Sequence, residues 1–486
     1  MISNTVEATL CAEQPDLKKD LELLDDPENW RYWWEKVRGE QLDSNTFAGG
    51  DMHLLASPTH FSREVSLDEL EATVLEYESL TRSLDPQLPI ALQLSEEQIQ
   101  ILVSNRPFSF YASKIQTGAM TLAEVVHQVI PEGAKAAGIE SRWFHPEKGT
   151  ISKEVGTARA IAIGVRLIEQ AVAEQGDLDG LIVSSSFLPE NLAKNIVAAA
   201  LEFGILSREP KVFDIRLFCA GSTAALAVAL ANPEFRDLER VGVLSLEPLS
   251  YLLEPEHYSL EHFQIPLIFG DDYLLLLINS SEFELSAYSK IYPIFDEGVI
   301  RIQTWYETGT LGGEIEPWLE KLLILPEGED VLTISSTGIF MSVVDPVERT
   351  AEMDGMATAK FFSAISPRLI QEILEAQKTD GMPIEYVFNH PPSGAVVARI
   401  QKFLDRLKLD VELRFDGKSN ASSATVMRQI GDLLQDGKLD ENAFIYPTLV
   451  FAPGIGAVFA LVVINKKKFK PEKKRETTIF SAADNG

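Results

Sequence analysis

Three residues of this chain have side chains suited to covalent chemistry at a carbonyl, and each stands where a strand meets a helix. Cys219 lies in FDIRLFCAGSTAALAVAL, a β-forming run that passes through small residues into a helix of Ala, Leu and Val. That places the sulfur at a helix N-terminus, where unpaired N–H groups and the positive end of the dipole favour thiolate and lower its pKa. Ala220 and Gly221 leave room for a thioester carbonyl, and a backbone N–H can donate to the oxyanion that forms on it. A small buried core residue is the competing role for a lone cysteine. His390 closes the apolar strand YVFNH ahead of PPSG, at the C-terminal edge where α/β proteins place their sites. Its bland alternative is a hydrogen-bonded loop histidine. Asn420, in KSNASSAT, falls at the start of a helix, where N-capping is the competing role. The order Cys, His, Asn, each at such a junction, is the more specific signal.

The elements that must position them form a pattern that occurs twice, alternating short apolar β-rich runs with helical stretches as a layered α/β fold does. In the first half the strand Gly180 to Ser185 leads to the helix Ala193 to Phe203, the strand Val212 to Leu217 and the helix opening at Cys219. The strands Val241 to Leu246 and Tyr273 to Ile278 follow. In the second half the strand Glu385 to Phe388 leads to the helix Ala395 to Leu407, the strand Val411 to Phe415 and a helix from about Ala421 to Leu434. The paired strands Phe444 to Phe451 and Ala457 to Ile464 close it. Two copies of one unit imply a pseudo-twofold core, with the helix starts near Cys219 and Asn420 facing each other at its centre.

Residues 1–105 read as a mainly helical extension, with helices over Leu21 to Val37 and Leu67 to Thr81 joined by a polar, Gly-containing segment from Gln41 to Asp51. Its Trp30, Trp33 and Trp34 share a helical face at i, i+3, i+4 spacing, which favours core packing over ligand stacking. Residues 106–285 and 286–465 are the expected halves of the core. Residues 466–486 are a charged tail expected to be disordered; from Lys466 to Arg475 it reads KKKFKPEKKR, either a solubilising terminus or a docking arm for an acidic carrier protein or anionic membrane.

Composition narrows the classes. A length of 486 residues allows a large duplicated core, and a net charge of −30 argues against a general nucleic-acid binder. The longest apolar run, Phe451 to Ile464, is too short to span a bilayer, so no stable membrane insertion is expected. The N-terminal MISNTVEATLCAEQPDLKKD lacks the basic start and apolar stretch of a secretory signal, so a cytoplasmic location is expected. Two cysteines without metal-ligand spacing give neither a disulfide framework nor a metal site.

On these residues the sequence resembles the β-ketoacyl-ACP synthases of class III, within the thiolase-like superfamily. CAGSTAAL around Cys219 is similar to their nucleophile elbow, and His390 and Asn420 match the His and Asn that complete their triad. Supporting matches run in family order: AGIESRWFHPE near Arg142, DLDGLIVSSS, FGD at Phe269 to Asp271, MDG at Met353 to Gly355 with Phe361 after it, and PGIGA at Pro453 to Ala457. The resemblance implies a thiolase-like fold of duplicated βαβαβαββ halves in five αβαβα layers, and a homodimer. It implies that Cys219 is acylated by acyl-CoA or an acyl carrier protein, with oxyanion donors from Cys219 and Gly454. His390 and Asn420 would stabilise the enolate left when a malonyl thioester loses carbon dioxide. Arg142 and Phe361 would meet substrate, and no cofactor or metal takes part.

The match also departs from the family. Pro391 to Ala395 replace the usual Gln-Ala-Asn-x-Arg, removing the basic residue that would greet a phosphate, and Asp272, Tyr273 and Leu274 replace small residues after FGD. Pro453 supplies no N–H to the oxyanion loop. These changes imply a reshaped acyl pocket and a specialised fatty-acid or polyketide-type pathway. Two other readings stay open: an acyltransferase passing the same acyl group to an alcohol or amine with His390 as general base, and a silent thiolase-fold subunit paired with an active homologue.

Overall fold

The computed structural model describes residues 27–39, 46–49, 52–56, 61–104, 106–145, 153–186, 188, 191–215, 218–294, 299–306, 309–313, 342–344, 350–352, 363, 366–367, 369–371, 374, 384, 386–390, 392–409, 411–435, 448–453 and 459–466. Its core is two six-stranded sheets. The strands of the first are β1 (Thr46–Gly49), β2 (Met52–Ala56), β5 (Gly180–Ser184), β6 (Lys211–Ile215), β7 (Val241–Glu247) and β8 (Asp272–Ile278), ordered β1-β2-β8-β7-β5-β6. Those of the second are β9 (Phe283–Ile294), β10 (Val299–Tyr306), β11 (Gly309–Gly313), β14 (Tyr386–Asn389), β15 (Thr448–Pro453) and β16 (Phe459–Lys466), ordered β11-β10-β9-β16-β15-β14. Two-stranded ribbons pair β3 (Arg63–Glu64) with β4 (Trp143–Phe144), and β12 (Ser342–Val344) with β13 (Thr350–Glu352).

Every residue of β5, β7 and β8 is buried. Continuous apolar runs such as GLIVS and DYLLLLI suit strands covered on both faces. One face of this sheet takes helices α4 (Lys153–Gln175) and α5 (Leu192–Glu202), whose Ile161, Ile168 and Ile196 pack with Leu181, Leu244 and Leu275. The other face meets α6 (Gly221–Ala231) and α8 (Ala424–Gln435). Those two helices share one apolar cluster with Val243 and Leu274 of the first sheet and Phe388 and Val450 of the second, so they form a layer between the sheets. Helix α7 (Gly394–Arg406) follows β14.

The repeat is visible in the pairing. β5 runs parallel to β7 and β7 antiparallel to β8; β14 runs parallel to β15 and β15 antiparallel to β16. The two halves differ at one expected strand. Residues 411–416 carry no β-ladder, because side-chain amides occupy their backbone: Asn389 Oδ1 accepts from Arg414 N at 2.9 Å, and Gln401 Oε1 accepts from Leu413 N at 2.8 Å.

The mainly helical N-terminal extension also carries a hairpin in the segment read as a connector. Its hairpin, β1 and β2, adds to the first sheet along the free edge of β8, which would otherwise present unpaired backbone groups. The first helix, α1, is Pro27–Gly39; Trp33 and Trp34 are buried on the main core, with Trp34 stacked on Phe203 at 4.8 Å. The Trp30 side chain lies outside the described residues. Helix α2 (Leu67–Thr81) packs Leu70 and Val74 into one cluster with Val125 and Val129 of α3 (Leu122–Ala137) and Phe263, so a shared core spans residue 105. Of the basic tail, Lys466 is the last residue of β16, and residues 467–486 lie outside the described residues. No helix among the described residues is long and apolar enough to cross a membrane.

Candidate active site

Just ahead of α6, Phe218–Ala220 form a tight turn, and Cys219 sits in it, buried. A Cβ at Gly221 would meet the Ser184 hydroxyl on β5 and force that side chain to turn away. His390, also buried, follows β14 at the C-terminal end of a parallel pair, as its position in YVFNH implied.

Asn420 is not at a helix start. It lies four residues before α8 in extended backbone, held by the FGD loop: its N–H donates to Ile268 O at 2.8 Å and its carbonyl accepts from Gly270 N at 3.1 Å. The Asn420 side-chain oxygen accepts from Ser422 N at 2.9 Å, a turn two residues long that competes with helix and delays its onset. Ser422 takes up a left-handed conformation at φ 47°.

Ser422 is where the three residues meet. Its hydroxyl donates to Cys219 Sγ at 3.5 Å, its N–H holds Asn420, and its backbone hydrogen-bonds His390. The same hydroxyl is 2.6 Å from Ser186 Oγ. Ser186 N donates to Glu247 Oε2 at 3.1 Å, and the Ser423 hydroxyl donates to Glu247 Oε1. Ser423 Oγ also meets Ser245 Oγ at 2.8 Å and Ser184 Oγ at 3.1 Å, and Ser222 Oγ donates to Ser245 Oγ at 3.2 Å. The sulfur therefore stands at one end of a buried hydroxyl network and a fully buried carboxyl at the other.

The electrostatics correct one expectation. Burial pushes the Cys219 thiol up to about 12; the Ser422 hydroxyl opposes this, while the Glu247 carboxylate adds to it. Desolvation is the largest of these effects because the sulfur lies in a closed interior. Burial, then the nearby Arg428 guanidinium, pushes His390 down to about 3, so the imidazole is neutral; its Nδ1 is buried without a hydrogen-bond partner. Glu247 is pushed up to about 8 by burial, against hydrogen bonds from Ser423 and Ser186.

Arg428, on α8, fills the place that Asp272 opens. Its guanidinium binds Asp272 Oδ2 at 2.9 Å, Asp416 Oδ2 at 2.8 Å and the Ser419 carbonyl at 2.9 Å, with Arg428 and Asp272 both buried. This ion group secures the segment that carries Asn420. Asp271 instead accepts from Ser250 N and Oγ at 2.6 and 2.7 Å.

Of the remaining expected site residues, Arg142 is described. Arg142 is fully buried; its guanidinium donates to the carbonyls of Val65 at 3.2 Å and Leu267 at 3.4 Å, so it ties chain segments together. Gly454 and Phe361 lie outside the described residues. Ser422, Ser186, Glu247 and Arg428 were missed by reasoning from sequence, although the runs SSS and NASSAT at matching junctions were a signal for the first two. Among the described residues no group of three or more His, Cys, Asp or Glu side chains could hold a metal ion.

No family model and no curated protein matches this sequence. Solved structures do match. The 1,3,6,8-tetrahydroxynaphthalene synthase of Streptomyces coelicolor A3(2), a bacterial type III polyketide synthase, is 13% identical over 86% of this chain and 99% of its own, with a TM-score of 0.53. A fungal type III polyketide synthase is 14% identical over 87% of this chain and 99% of its own, with a TM-score of 0.51. The 3-oxoacyl-(acyl carrier protein) synthase III of Pseudomonas aeruginosa PAO1 is 13% identical over 88% of this chain and 99% of its own, at 0.49. At such identities the likeness concerns architecture: the chain has a thiolase-like α/β fold.

Proposed function

With a thiolase-like fold as the starting point, we propose that this chain is an acyl-thioester condensing enzyme whose acyl group is carried on Cys219. The observation that supports the reading is the convergence of Cys219, His390 and Asn420 on Ser422 between the two sheets. Cys219 sulfur attacks the carbonyl of an acyl-CoA or acyl-carrier-protein thioester, the bond to the leaving sulfur breaks, and the carrier departs as its thiol. A malonyl thioester follows. Its carboxylate leaves as carbon dioxide, and the electron pair of the broken carbon–carbon bond becomes an enolate. A neutral imidazole and a side-chain amide can donate to the enolate oxygen without bringing full charge, and His390 and Asn420 are those groups. The Asn420 carbonyl oxygen already accepts from Ser422, so its NH₂ is the end suited to this task. The enolate carbon then attacks the acyl carbonyl, Cys219 sulfur leaves, and a β-ketoacyl product forms. The setting we propose is a homodimer in a specialised fatty-acid or polyketide-type pathway, with no cofactor.

The test is intact mass after incubation with a panel of acyl-CoA and acyl-carrier thioesters, beside Cys219→Ala. An acyl adduct in the parent and none in the variant, followed by carbon dioxide release on adding malonyl thioester, is the expected result. An adduct without carbon dioxide release turns the reading to transfer onto an alcohol or amine. No adduct with any donor overturns it in favour of a silent subunit.

A further inference from the structure

The buried thiol poses a problem that the three converging residues do not solve. For Cys219 to attack, its proton must go somewhere, and the imidazole of His390, pushed down to about 3, does not hold one near neutrality. A route exists on the other side of the sulfur. Cys219 Sγ is 3.5 Å from Ser422 Oγ, Ser422 Oγ is 2.6 Å from Ser186 Oγ, and the Ser186 hydroxyl hydrogen-bonds the Glu247 carboxyl, which also accepts from Ser186 N at 3.1 Å. Hydroxyls both donate and accept, so such a chain passes a proton along by switching each O–H in turn. Glu247 ends β7, wholly buried, held by Ser186 and Ser423. A carboxyl kept in such a place with no cation bonded to it among the described residues costs stability, which points to a use.

We propose that Glu247 is the proton acceptor for Cys219, reached through Ser422 and Ser186. This rests on the reading of Cys219 as the acylated nucleophile. With the Ser422 O–H turned from the sulfur toward Ser186, the S–H bond breaks as the carbon–sulfur bond forms, and its proton moves to Ser422 Oγ. The Ser422 proton moves to Ser186 Oγ, and the Ser186 proton moves to Glu247. The carbonyl π pair goes to oxygen, then returns as the carrier sulfur is expelled as its thiolate, which takes a proton from solvent and departs as the thiol. Glu247 ends neutral, so the two sites never hold negative charge together. When Cys219 sulfur leaves after condensation, the proton returns by the same path. Glu247 touches no substrate; it is a positioning residue that acts through two hydroxyls.

The charged surroundings are compatible with this. Neighbouring β8 brings Asp272, opposite Glu247 in register, but Arg428 of α8 pairs it at 2.9 Å. The end of β14 brings neutral His390, while β5 and α6 bring the hydroxyls of Ser184, Ser186 and Ser222.

The experiment is alkylation of Cys219 by iodoacetamide in the full chain, followed by peptide mass so that Cys11 is counted separately, from about pH 6 to about pH 9. The parent rate should rise through an inflection near the value of about 8 at which Glu247 ionises. Glu247→Gln should lose that inflection and react about a hundredfold more slowly at the upper end, as expected for removal of a proton acceptor. Ser186→Ala and Ser422→Ala should do the same, whereas Ser186→Thr, which keeps the hydroxyl, should restore it. Should Glu247→Gln fail to fold, the Ser186 pair decides. A parental profile in Glu247→Gln, equal effects of Ala and Thr, or a parent inert at every pH overturns the relay. Alkylation needs no acyl donor, so a failed acylation leaves this test standing; acylation of Glu247→Gln at the parental rate would spare the proposed function and remove the relay.

Discussion

The two halves of the core use the same topology and hold it by different means. Beside β5 in the first half, β6 is fixed by a parallel backbone ladder from Gly180 and Lys211 to Ser184 and Ile215. Beside β14 in the second half, residues 411–414 are fixed by amide side chains from three elements. Asn389 of β14 both accepts from and donates to Arg414, Gln429 of α8 donates to Arg414 O at 3.1 Å, and Gln401 of α7 binds Leu413 N and Val411 O. A ladder depends little on which residues compose it, whereas side-chain amides are specific to their positions. The segment leading to Asn420 is therefore more sensitive to substitution than the strand leading to Cys219.

The most severe way to probe that contrast is at the ion group of the second half. Arg428→Met leaves Asp272 and Asp416 without their guanidinium and should cost about 3–5 kcal/mol in urea unfolding. Neutralising all three, as Asp272→Asn, Arg428→Met, Asp416→Asn, should recover most of that loss. Equal losses in the single and triple variants would mean that packing, not charge, holds the site.

A milder comparison sets Gln401→Ala against Phe213→Ala. The first strips two backbone groups of their partners and should cost about 1–3 kcal/mol. The second removes a 40% exposed side chain that meets Phe235 edge to face at 6.4 Å, leaves the ladder whole, and should cost about 0.5–1.5 kcal/mol. If the two variants unfold at the same denaturant concentration, the contrast between ladder and amides fails.

The smallest effect is in pH dependence, and it should have opposite signs in the two halves. Folding raises Glu247 from its ordinary 4.5 to about 8, mainly by burial, so the folded state holds that proton more tightly. Its contribution is complete below 4.5 and is lost as pH climbs through 8. Asp271, raised to about 7, behaves alike. In the second half burial would raise Asp416, but Arg428 and the Lys418 N–H outweigh it and hold the carboxyl below its ordinary value. That contribution is present above the ordinary value and fades as pH falls through the lowered one. Denaturation midpoints between about pH 3 and about pH 8.5 should show Glu247→Gln flattening the alkaline decline and Asp416→Asn flattening the acid one. Parallel curves for parent and both variants would refute the assignment.

What could be read in advance follows from the range of the interaction involved. The strands GLIVS, VGVLSLE and DYLLLLI announce themselves because burial on both faces demands unbroken apolar runs. Cys219, His390 and Asn420 stood out by residue type at strand-to-helix junctions. VELRF at 411–415 has a strand's alternation, yet Asn389, Gln401 and Gln429 claim its backbone from elsewhere in the sequence. The hairpin partner of β8 sat in a segment read as polar connector, although the Gly-Gly pair after TFA was a turn signal. The Cys219 thiol was expected to be depressed by its helix; local sequence shows the dipole but not the desolvation that overrides it. The Ser–Glu247 network draws on β5, β7, α6 and the turn before α8, and no linear pattern marks it.

The hairpin on β8 has a consequence for synthesis. Met52 pairs with Ile278 and Ala56 with Leu274, so the ribosome must add more than two hundred residues between hairpin and partner. At about 5–20 residues per second that is a wait of about 10–40 s, during which the nascent hairpin has an open edge. The first sheet can close only after β8 emerges, so through that whole interval the hairpin's backbone groups on that edge have only water to bond.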